Sequence, residues 1–284
     1  MAVSLALSYV TIGAINLTSR EDSGVEWIMD VDGLKGWGAS SGSLKPTRKP
    51  RQAGAWGGLS YSAERPMVVK GVCIAPTAAL ASDALDRLID SASLDSVVLT
   101  VVESGRSRWC NVRRDGDVLP VWIGATAFTY SVQVVALDPR KLGATLTAST
   151  ALPSTTGGLT IPFTIPYSIN AVQVTGQISL TNVGNVAGPV TARIDGPCVG
   201  PIITHLGTGQ ALVFASSLVL NAGEWLSLDY EKRQVLANGQ SSRNGYITSR
   251  GWSAFDPGMN VWSFTAASYT AGAQLTITAT SADK

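Results

Sequence analysis

Short runs in which apolar and polar residues alternate recur along the chain, and this period of two predicts β-strands. In the first half, strands are expected at residues 2–17 (one or two strands), 25–32, 66–74, 96–103, 107–113, 117–124 and 126–137. In the second half, they are expected at residues 160–165, 172–182, 190–195, 202–206, 211–220, 225–229, 234–237, 260–266 and 274–279. Asp115 and Gly116 separate two of these runs and predict a hairpin turn, because a tight turn needs the positive φ that glycine adopts without strain.

One segment, residues 78–92, has helical periodicity instead. Its apolar residues recur at the spacing of one helix face, and its charged residues lie largely on the other face. The apolar set is Leu80, Leu85, Leu88 and Ile89, and the charged set is Asp83, Asp86, Arg87 and Asp90. Thr77 directly follows Pro76 and is expected to cap the first turn. The pattern therefore predicts a mainly β protein with one helix.

Two segments lack either period. Residues 33–58, called the arm below, are rich in glycine and contain Pro46 and Pro50, which predicts a projecting arm or an interaction loop. Residues 141–160 are rich in Thr, Ser, Gly and Ala, and this shift in composition predicts a domain boundary. We therefore expect one domain at residues 1–143 and a second at 144–284. The many short strands of the second domain, without a helix, predict a β-sandwich.

Composition narrows the class of function. Charged residues make up only 14% of the 284 residues, well below the roughly 25% of soluble domains, which favours a subunit partly covered by neighbours. The formal net charge of +1 argues against a dedicated or sequence-specific nucleic-acid binder. No apolar run reaches the roughly eighteen residues of a membrane span. The N-terminus lacks the basic leader of a signal peptide, so a product of the cytoplasm is expected.

Residue sets that support catalysis or metal binding are largely missing. The cysteines Cys73, Cys110 and Cys198 are far apart and read as reduced core residues rather than zinc ligands. The single histidine, His205, lies in a predicted strand and is interpreted as structural or surface. Residues 38–42 match GxSxG, but a nucleophile elbow needs a strand before it and a helix after it. We expect no enzyme, no cofactor and no metal. Cell-wall hydrolysis that depends on His205 or an acidic pair is the minority hypothesis.

The arm contains the only marked basic run. It consists of Lys45, Arg48, Lys49 and Arg51. These side chains are interpreted as a solvated loop or, alternatively, as a contact with an acidic neighbour or with DNA in a lumen. The nearby Trp56 either anchors in another subunit or is buried locally as the arm folds back. These five residues are the candidate subunit interface.

Three tryptophans of the second half raise a separate hypothesis, that of a stacking platform for a sugar. Trp225 and Trp262 lie in predicted strands and are expected to pack in the core. Trp252 lies in a loop-like stretch and stays open as a ligand contact. A carbohydrate-binding module that contacts a host cell-wall glycan is therefore the alternative to a purely structural protein.

Several motifs, in their order along the chain, resemble the distal tail proteins of siphoviruses, which are long-tailed bacteriophages. Residues 128–141 resemble the strand and Asp-Pro-Arg ending that closes the first domain of that family. Further matching motifs are Asn182-x-Gly184, Pro189, Asp195-Gly196, Leu220-x-Ala222-Gly223-Glu224, LSLDYEKRQV with Asp229 and Arg233, and the Trp252 to Pro257-Gly258-x-Asn260 turn. The match extends from about Pro66 to the end of the second domain, and its specificity rests on the order of the motifs.

This resemblance implies a split-barrel-like first domain with an extended arm and a galectin-like β-sandwich as the second domain. It also implies a homo-oligomeric ring, a hexamer, at the tail tip of the virion, assembled in the host cytoplasm. In the family, such a ring connects the tail tube protein to the hub or tail-associated protein and surrounds the channel through which DNA leaves. The tape measure protein is a further implied partner.

Overall fold

The computed structural model describes residues 7–38, 40, 42–58, 60–156, 172–268 and 272–284. The chain divides into two compact units, Met1–Gly143 together with Lys284, and Ala144–Asp283. The strand expected at residues 160–165, and the first six residues of the run expected at 2–17, lie outside the described residues.

Most elements of the first unit are antiparallel strands. They are β1 (Leu7–Ile12), β2 (Ile15–Asn16), β3 (Glu26–Lys35), β4 (Gly42–Leu44), β5 (Thr47–Arg48), β6 (Ala55–Trp56), β7 (Ser60–Ser62), β8 (Arg65–Ile74), β9 (Val97–Glu103), β10 (Arg106–Trp122) and β11 (Ala127–Ala136). The helix α1 (Ala78–Ser91) lies between β8 and β9. Strand β12 (Lys141–Ala151) begins in this unit and ends in the second, so the segment 141–160, which shows no strand period in the sequence, begins with a strand of eleven residues.

Two sheets share strand β10. One has the order β2-β1-β9-β10, and the other has the order β10-β11-β8-β3. The first half of β10 pairs with β9, and the second half pairs with β11. The register shifts between Arg114 and Val118, and Gly116 has a φ of +93°. The hairpin expected at Asp115 and Gly116 is therefore wrong, because the positive φ serves a β-bulge that bends one long strand from one sheet into the next.

The core of the first unit lies between these sheets and α1. Trp27 contacts Phe128 and Tyr130 edge to face, at ring-centroid distances of 6.2 and 5.7 Å. Thr77 caps α1 as predicted, since its hydroxyl accepts from the Leu80 amide at 3.3 Å. The buried face of the helix consists of Ala81, Ala84 and Leu88, with Leu80 and Leu85 partly buried. Ile89, expected on this face, is exposed.

The second unit consists of strands and one short 3-10 turn, Asn244–Tyr246, as far as the structure describes it. After β12 its strands are β13 (Ser154–Thr156), β14 (Val172–Val174), β15 (Gln177–Asn182), β16 (Val190–Asp195), β17 (Cys198–His205), β18 (Gln210–Phe214), β19 (Val219–Leu220), β20 (Trp225–Asp229), β21 (Gln234–Ala237), β22 (Ser241–Ser242), β23 (Ile247–Arg250), β24 (Gly258–Ser268) and β25 (Gln274–Asp283). Residues 172–182 form two strands rather than the one expected, because Gly176 has a φ of +66°.

Two sheets face each other in this unit. One has the order β12-β25-β16-β20-β21-β22, and the other has the order β15-β24-β17-β18-β23, with β19 beside β17. Alternate residues of both sheets enter one buried cluster, for example Ile194 and Leu226 from the first and Trp262 and Phe264 from the second. Such a shared interior is that of a β-sandwich. The predicted fold class, mainly β with one α-helix, is confirmed for the described residues.

Candidate interaction surfaces

The arm contains a hairpin rather than an irregular loop, which corrects the sequence-based expectation. β4 pairs with β7, and β5 pairs with β6 inside them, so residues 42–58 and 60–62 form one interrupted two-stranded ribbon, called the arm hairpin below. At its tip, Arg51 and Gly54 have φ values of +65° and +96°. The pairing escaped sequence analysis because glycines and prolines interrupt the alternation of apolar and polar residues that normally reveals a strand.

The arm hairpin exposes the residues predicted as a subunit interface. Lys45, Arg48 and Arg51 are exposed, and Lys49 is half-buried. Trp56 is 55% exposed, so the interpretation that the arm folds back and buries it is wrong. Residues 45–58 contain four basic and no acidic residues. This hairpin is therefore a basic ribbon with one exposed aromatic side chain.

The base of the arm is held rigidly by a buried arginine. Arg65 is fully buried, and its Nη1 donates to the carbonyl oxygens of Gly36, Trp37 and Gly38 at 3.2, 2.9 and 3.2 Å. Lys141 Nζ also donates to the Gly38 carbonyl, at 2.8 Å, and lies 5.6 Å from the centre of the Trp37 ring. The residues just before and just after the arm hairpin are thus joined, so its position relative to the first unit is fixed at the base.

The sheet β10-β11-β8-β3 carries an exposed apolar face. Val121 pairs with Thr129, Thr129 with Val72, and Val72 with Ile28, so these residues form one row across four strands. The large exposed side chains of this apolar outer face are Ile28, Ile74, Leu119, Val121 and Ile123. Val121 and Ile123 are 63% and 61% exposed. Thr129 and, beside Leu119, Ser131 and Lys70 are polar members of the same face. A cluster of exposed apolar side chains on one face marks an interaction site, whereas isolated apolar side chains do not.

Helix α1 exposes a face of the opposite charge to the arm hairpin. Asp83, Asp86 and Asp90 are exposed on it, and Ile89 lies among them. Asp83 pairs with Arg87 at 3.3 Å. The acidic face of α1, defined as these three aspartates and Ile89, is the natural electrostatic complement of a basic ribbon.

His205 is a structural residue. It is 3% exposed, and its ring nitrogens lie 2.8 Å from Thr208 Oγ1 and 3.0 Å from Asn260 Oδ1. The ring also contacts Trp262 at a centroid distance of 5.1 Å. These contacts hold the turn after β17. The GxSxG match at residues 38–42 lies partly outside the described residues, and Gly42 begins strand β4 rather than a helix.

The asparagines of the family-like motifs also serve turns. Asn182 Nδ2 donates to the carbonyls of Val186 and Phe255 at 2.9 and 2.7 Å. Asn260 Nδ2 donates to the carbonyls of Asp256 and Gly258 at 2.7 and 2.9 Å. Both asparagines are buried, and their side-chain amides donate the hydrogen bonds that water would otherwise make to these carbonyls. These two asparagines therefore stabilise turns of the second unit.

The three tryptophans of the second unit have different surroundings. Trp262 is buried in the core, as predicted. Trp225 is only half-buried, and the Arg193 guanidinium lies 4.2 Å from its ring centre, so the expectation that it packs in the core is wrong. Trp252 is half-buried and contacts Tyr230 edge to face at 5.4 Å. Because these rings lie in different settings, they do not form one platform.

Trp252 lines a cavity of about 300 Å³. The other lining residues are Gln210, Arg233, Asn244, Ile247 and Arg250. Two arginines and two amides in one small cavity are an arrangement that sequence analysis missed. These four side chains come from a turn, a 3-10 turn and two strands, so no local sequence motif predicts that they line one cavity.

Neither metal-site clusters nor membrane-spanning helices occur in the described part of the chain. No group of three or more His, Cys, Asp or Glu side chains is close enough there to hold a metal ion. No described helix is long and apolar enough to cross a membrane.

Three solved structures from phages are similar to this chain. One, described as the SPP1 Dit protein and a paradigm of the hub adsorption apparatus in phages that infect Gram-positive bacteria, matches with a TM-score of 0.64 and 14% identity. That match covers 96% of this chain and 98% of that chain. No protein-family model matches the sequence, and a comparison with curated proteins finds no significant match.

Two further matches are chains of the phage P2 baseplate in its activated conformation. The structure with Ca matches with a TM-score of 0.51 and 9% identity, over 95% of this chain and 97% of that chain. The structure with Sr matches with a TM-score of 0.50 and 9% identity, over 95% and 96%. The chain therefore has the fold of these phage tail proteins. The predicted resemblance to distal tail proteins is confirmed at the level of the fold.

Proposed function

We propose that this chain is a structural distal tail protein of a long-tailed bacteriophage. It forms a ring, a hexamer, at the tail tip, joins the tail tube protein to the hub or tail-associated protein, and surrounds the DNA exit channel. The tape measure protein is a further neighbour, and assembly takes place in the host cytoplasm. The observation that carries the proposal is the match to SPP1 Dit over 96% of this chain, since it includes both units in the same order.

Subunit contacts are proposed from the surfaces of the first unit. The basic arm hairpin of one copy lies along the acidic face of α1 in the next copy, with Trp56 packed near Ile89. Opposite charges and exposed apolar side chains on both surfaces support this pairing. Because the two surfaces are different, the contact is head to tail, and a repeated head-to-tail contact closes into a ring when its rotation permits.

The apolar outer face is proposed as a second contact in the ring. Its exposed side chains would otherwise favour non-specific association in a subunit with so few charges. This face and the arm hairpin provide both an apolar contact and an electrostatic one, the combination found in stable assemblies.

The oligomeric state of the purified full-length protein tests the ring. Mass photometry and negative-stain electron microscopy are expected to give closed rings of six copies. A wild-type protein that stays monomeric at micromolar concentration would overturn the ring. Immunogold labelling of virions is expected to mark the tail tip, and labelling elsewhere on the virion would overturn the proposed location.

Arm variants test the subunit contact separately. Reversal of Lys45, Arg48, Lys49 and Arg51 to Glu is expected to abolish rings. Additional reversal of Asp83, Asp86 and Asp90 to Lys is expected to restore them, because the complementarity returns with its signs exchanged. Trp56→Ala is expected to weaken the ring, whereas Met259→Ala, at a 74% exposed position of the second unit, leaves it intact. Intact rings from the arm reversal alone would show that the arm is not the contact.

A further inference from the structure

The cavity beside Trp252 carries two positive charges that no described residue neutralises. Arg233 and Arg250 both line it and are both exposed, and neither forms an ion pair within the described residues. Two other cations of this unit are ion-paired, since Arg193 Nη2 lies 2.6 Å from Asp195 and Lys232 Nζ lies 3.0 Å from Asp229. Arg243 Nη1 donates to Ser241 Oγ at 2.7 Å. Two guanidinium groups that line one cavity without a carboxylate partner favour an anion bound there.

The cavity wall is held by hydrogen bonds that do not involve its solvent-facing groups. Asn244 Oδ1 accepts from the Val235 amide at 2.7 Å, and Asn244 Nδ2 donates to the Arg233 carbonyl at 3.0 Å. These bonds fix the main chain of Arg233, whose φ of +53° is unusual for a residue with a side chain. The guanidinium of Arg233 therefore stays available to a ligand while its backbone is held in place.

Trp252 is fixed in the same way. The Gly251 amide donates to the Ala211 carbonyl at 2.9 Å, and the two backbones approach so closely that a side chain at position 251 would clash. The Trp252 ring rests on Tyr230 at 5.4 Å, with an interplanar angle of 89°. An indole that is half-buried and supported from one side offers its remaining surface to a ligand without a large loss of conformational entropy.

We propose that this pocket binds a sugar that carries an anionic group, either a carboxylate or a phosphate. Arg233 and Arg250 bind the anionic group, Trp252 packs against the apolar face of the ring, and Gln210 hydrogen-bonds a hydroxyl. A volume of about 300 Å³ is at the lower end for small-molecule sites, which suits one monosaccharide unit. A neutral sugar would leave both guanidinium groups without a partner. The site is independent of the proposed ring.

Isothermal titration calorimetry on the full-length protein tests the ligand class. The probes are glucuronate, glucose 6-phosphate, glucose and inorganic phosphate. Glucuronate and glucose 6-phosphate distinguish a carboxylate ligand from a phosphate ligand. Glucose and inorganic phosphate show what the sugar ring and the anion contribute alone. At least one anionic sugar is expected to bind about tenfold more tightly than glucose or phosphate alone, the size of one charge-assisted hydrogen bond. Equal affinity for glucose, or no binding of any probe at millimolar concentration, would overturn the proposal.

Variants test the assigned residues. Arg250→Gln is expected to weaken binding of the preferred anionic sugar by about tenfold, and Arg233→Gly by a similar factor, since glycine accepts the positive φ. Trp252→Ala is expected to weaken the binding of the anionic sugars and to leave the affinity for inorganic phosphate unchanged. Arg193→Gln, at the ion-paired arginine of the other sheet, leaves all affinities unchanged. Circular dichroism melting shows that each variant is folded.

A general anion site is the ligand class that would replace the anionic sugar. If a short single-stranded DNA or inorganic phosphate binds as tightly as glucose 6-phosphate, and Trp252→Ala has no effect, the pocket is a general anion site and the sugar assignment is wrong. Undiminished sugar binding by the Arg233→Gly, Arg250→Gln double variant would place the ligand elsewhere on the protein.

Discussion

Arg65 Nε and Nη2 both donate to the carbonyl oxygen of Pro139, at 2.9 and 2.7 Å. Arg65 begins β8, directly after the arm hairpin, and Pro139 belongs to the turn that follows β11. The third donor nitrogen of the same guanidinium binds the carbonyls of residues 36–38. One fully buried side chain therefore joins three separate parts of the chain. All five of its described hydrogen bonds go to main-chain oxygens rather than to a carboxylate.

Replacement of Arg65 is expected to destabilise the first unit strongly. Arg65→Met removes all five hydrogen bonds, including the one to the carbonyl of the buried Trp37, and leaves a gap at a fully buried position, which should lower the free energy of unfolding by about 2 to 4 kcal/mol. Urea denaturation measures this loss. Hydrogen exchange should also quicken at residues 36–38, since they lose their anchor. Arg113→Met, at an exposed position of β10 outside the arm hairpin, is the matched control and should change stability by less than about 0.5 kcal/mol. Equal stability of the two variants would contradict the anchoring role.

Asn260 is expected to be a stability residue of the second unit. Asn260 Nδ2 donates to the carbonyls of Asp256 and Gly258, and Asn260 Oδ1 accepts from the Asp256 amide. The same Oδ1 lies 3.0 Å from His205 Nε2. Asn260→Ala should lower the free energy of unfolding by about 2 to 4 kcal/mol, because buried polar groups lose their partners. Thermal and urea unfolding measure the change.

Met259 provides the control for this variant. Its side chain is 74% exposed and directly precedes Asn260, so Met259→Ala should leave stability nearly unchanged. An Asn260→Ala protein as stable as Met259→Ala would show that water replaces the amide.

The period of two along the chain predicts the fold class and most of the long strands, because it depends only on which residues face the core. It misses β12 and the strands of the arm hairpin, where glycine, proline or small polar residues obscure the alternation. It was not enough to predict how strand β10 pairs. Asp115 and Gly116 read as a hairpin, but a β-bulge uses the same positive φ. Which of the two forms depends on the partners β9 and β11, and these are distant in sequence.

The candidate surfaces were predictable to different degrees. The sequence shows that the arm contains a basic run and Trp56, and the structure adds that these residues lie on an exposed hairpin. The roles of Arg65 and Arg250 were not visible. Arg65 is buried by contacts with residues 36–38 and 139, and Arg250 lines the same cavity as Arg233 only because of the fold of the sandwich. Side chains brought together from distant segments leave no local pattern in the sequence.

The three cysteines are expected to be unreactive until the protein unfolds. Burial raises the pKa of Cys73 and of Cys110 to about 12 and that of Cys198 to about 11. Because the thiolate is the reactive form, iodoacetamide at neutral pH should label none of them in the folded protein and all three in urea. Mass spectrometry of labelled protein measures this. Labelling of any native cysteine at a rate independent of unfolding would contradict it.

Glu21 is expected to make the stability of the first unit depend on pH. Burial alone would raise the pKa of Glu21, but hydrogen bonds from Arg87, Trp27 and Ser23 and the charge of Arg87 outweigh it and hold that pKa below its ordinary value. The carboxylate accepts from Arg87 Nη1 and Nη2 at 2.9 and 3.0 Å and from Trp27 Nε1 at 2.8 Å. These bonds join α1 to β3, so protonation of Glu21 weakens a contact between two elements.

The sign follows from the lowered pKa. A carboxyl whose pKa is lower in the folded state contributes its full stabilisation above the unfolded pKa of about 4.3, and loses it as the pH falls through the folded pKa. Glu21→Gln should therefore be less stable than the wild type at neutral pH, and the difference should shrink below about pH 4. Urea midpoints between neutral pH and pH 3 measure both curves, and the exposed Glu64→Gln serves as the control. A difference that stays constant as the pH falls would show that Glu21 acts through its shape rather than its charge.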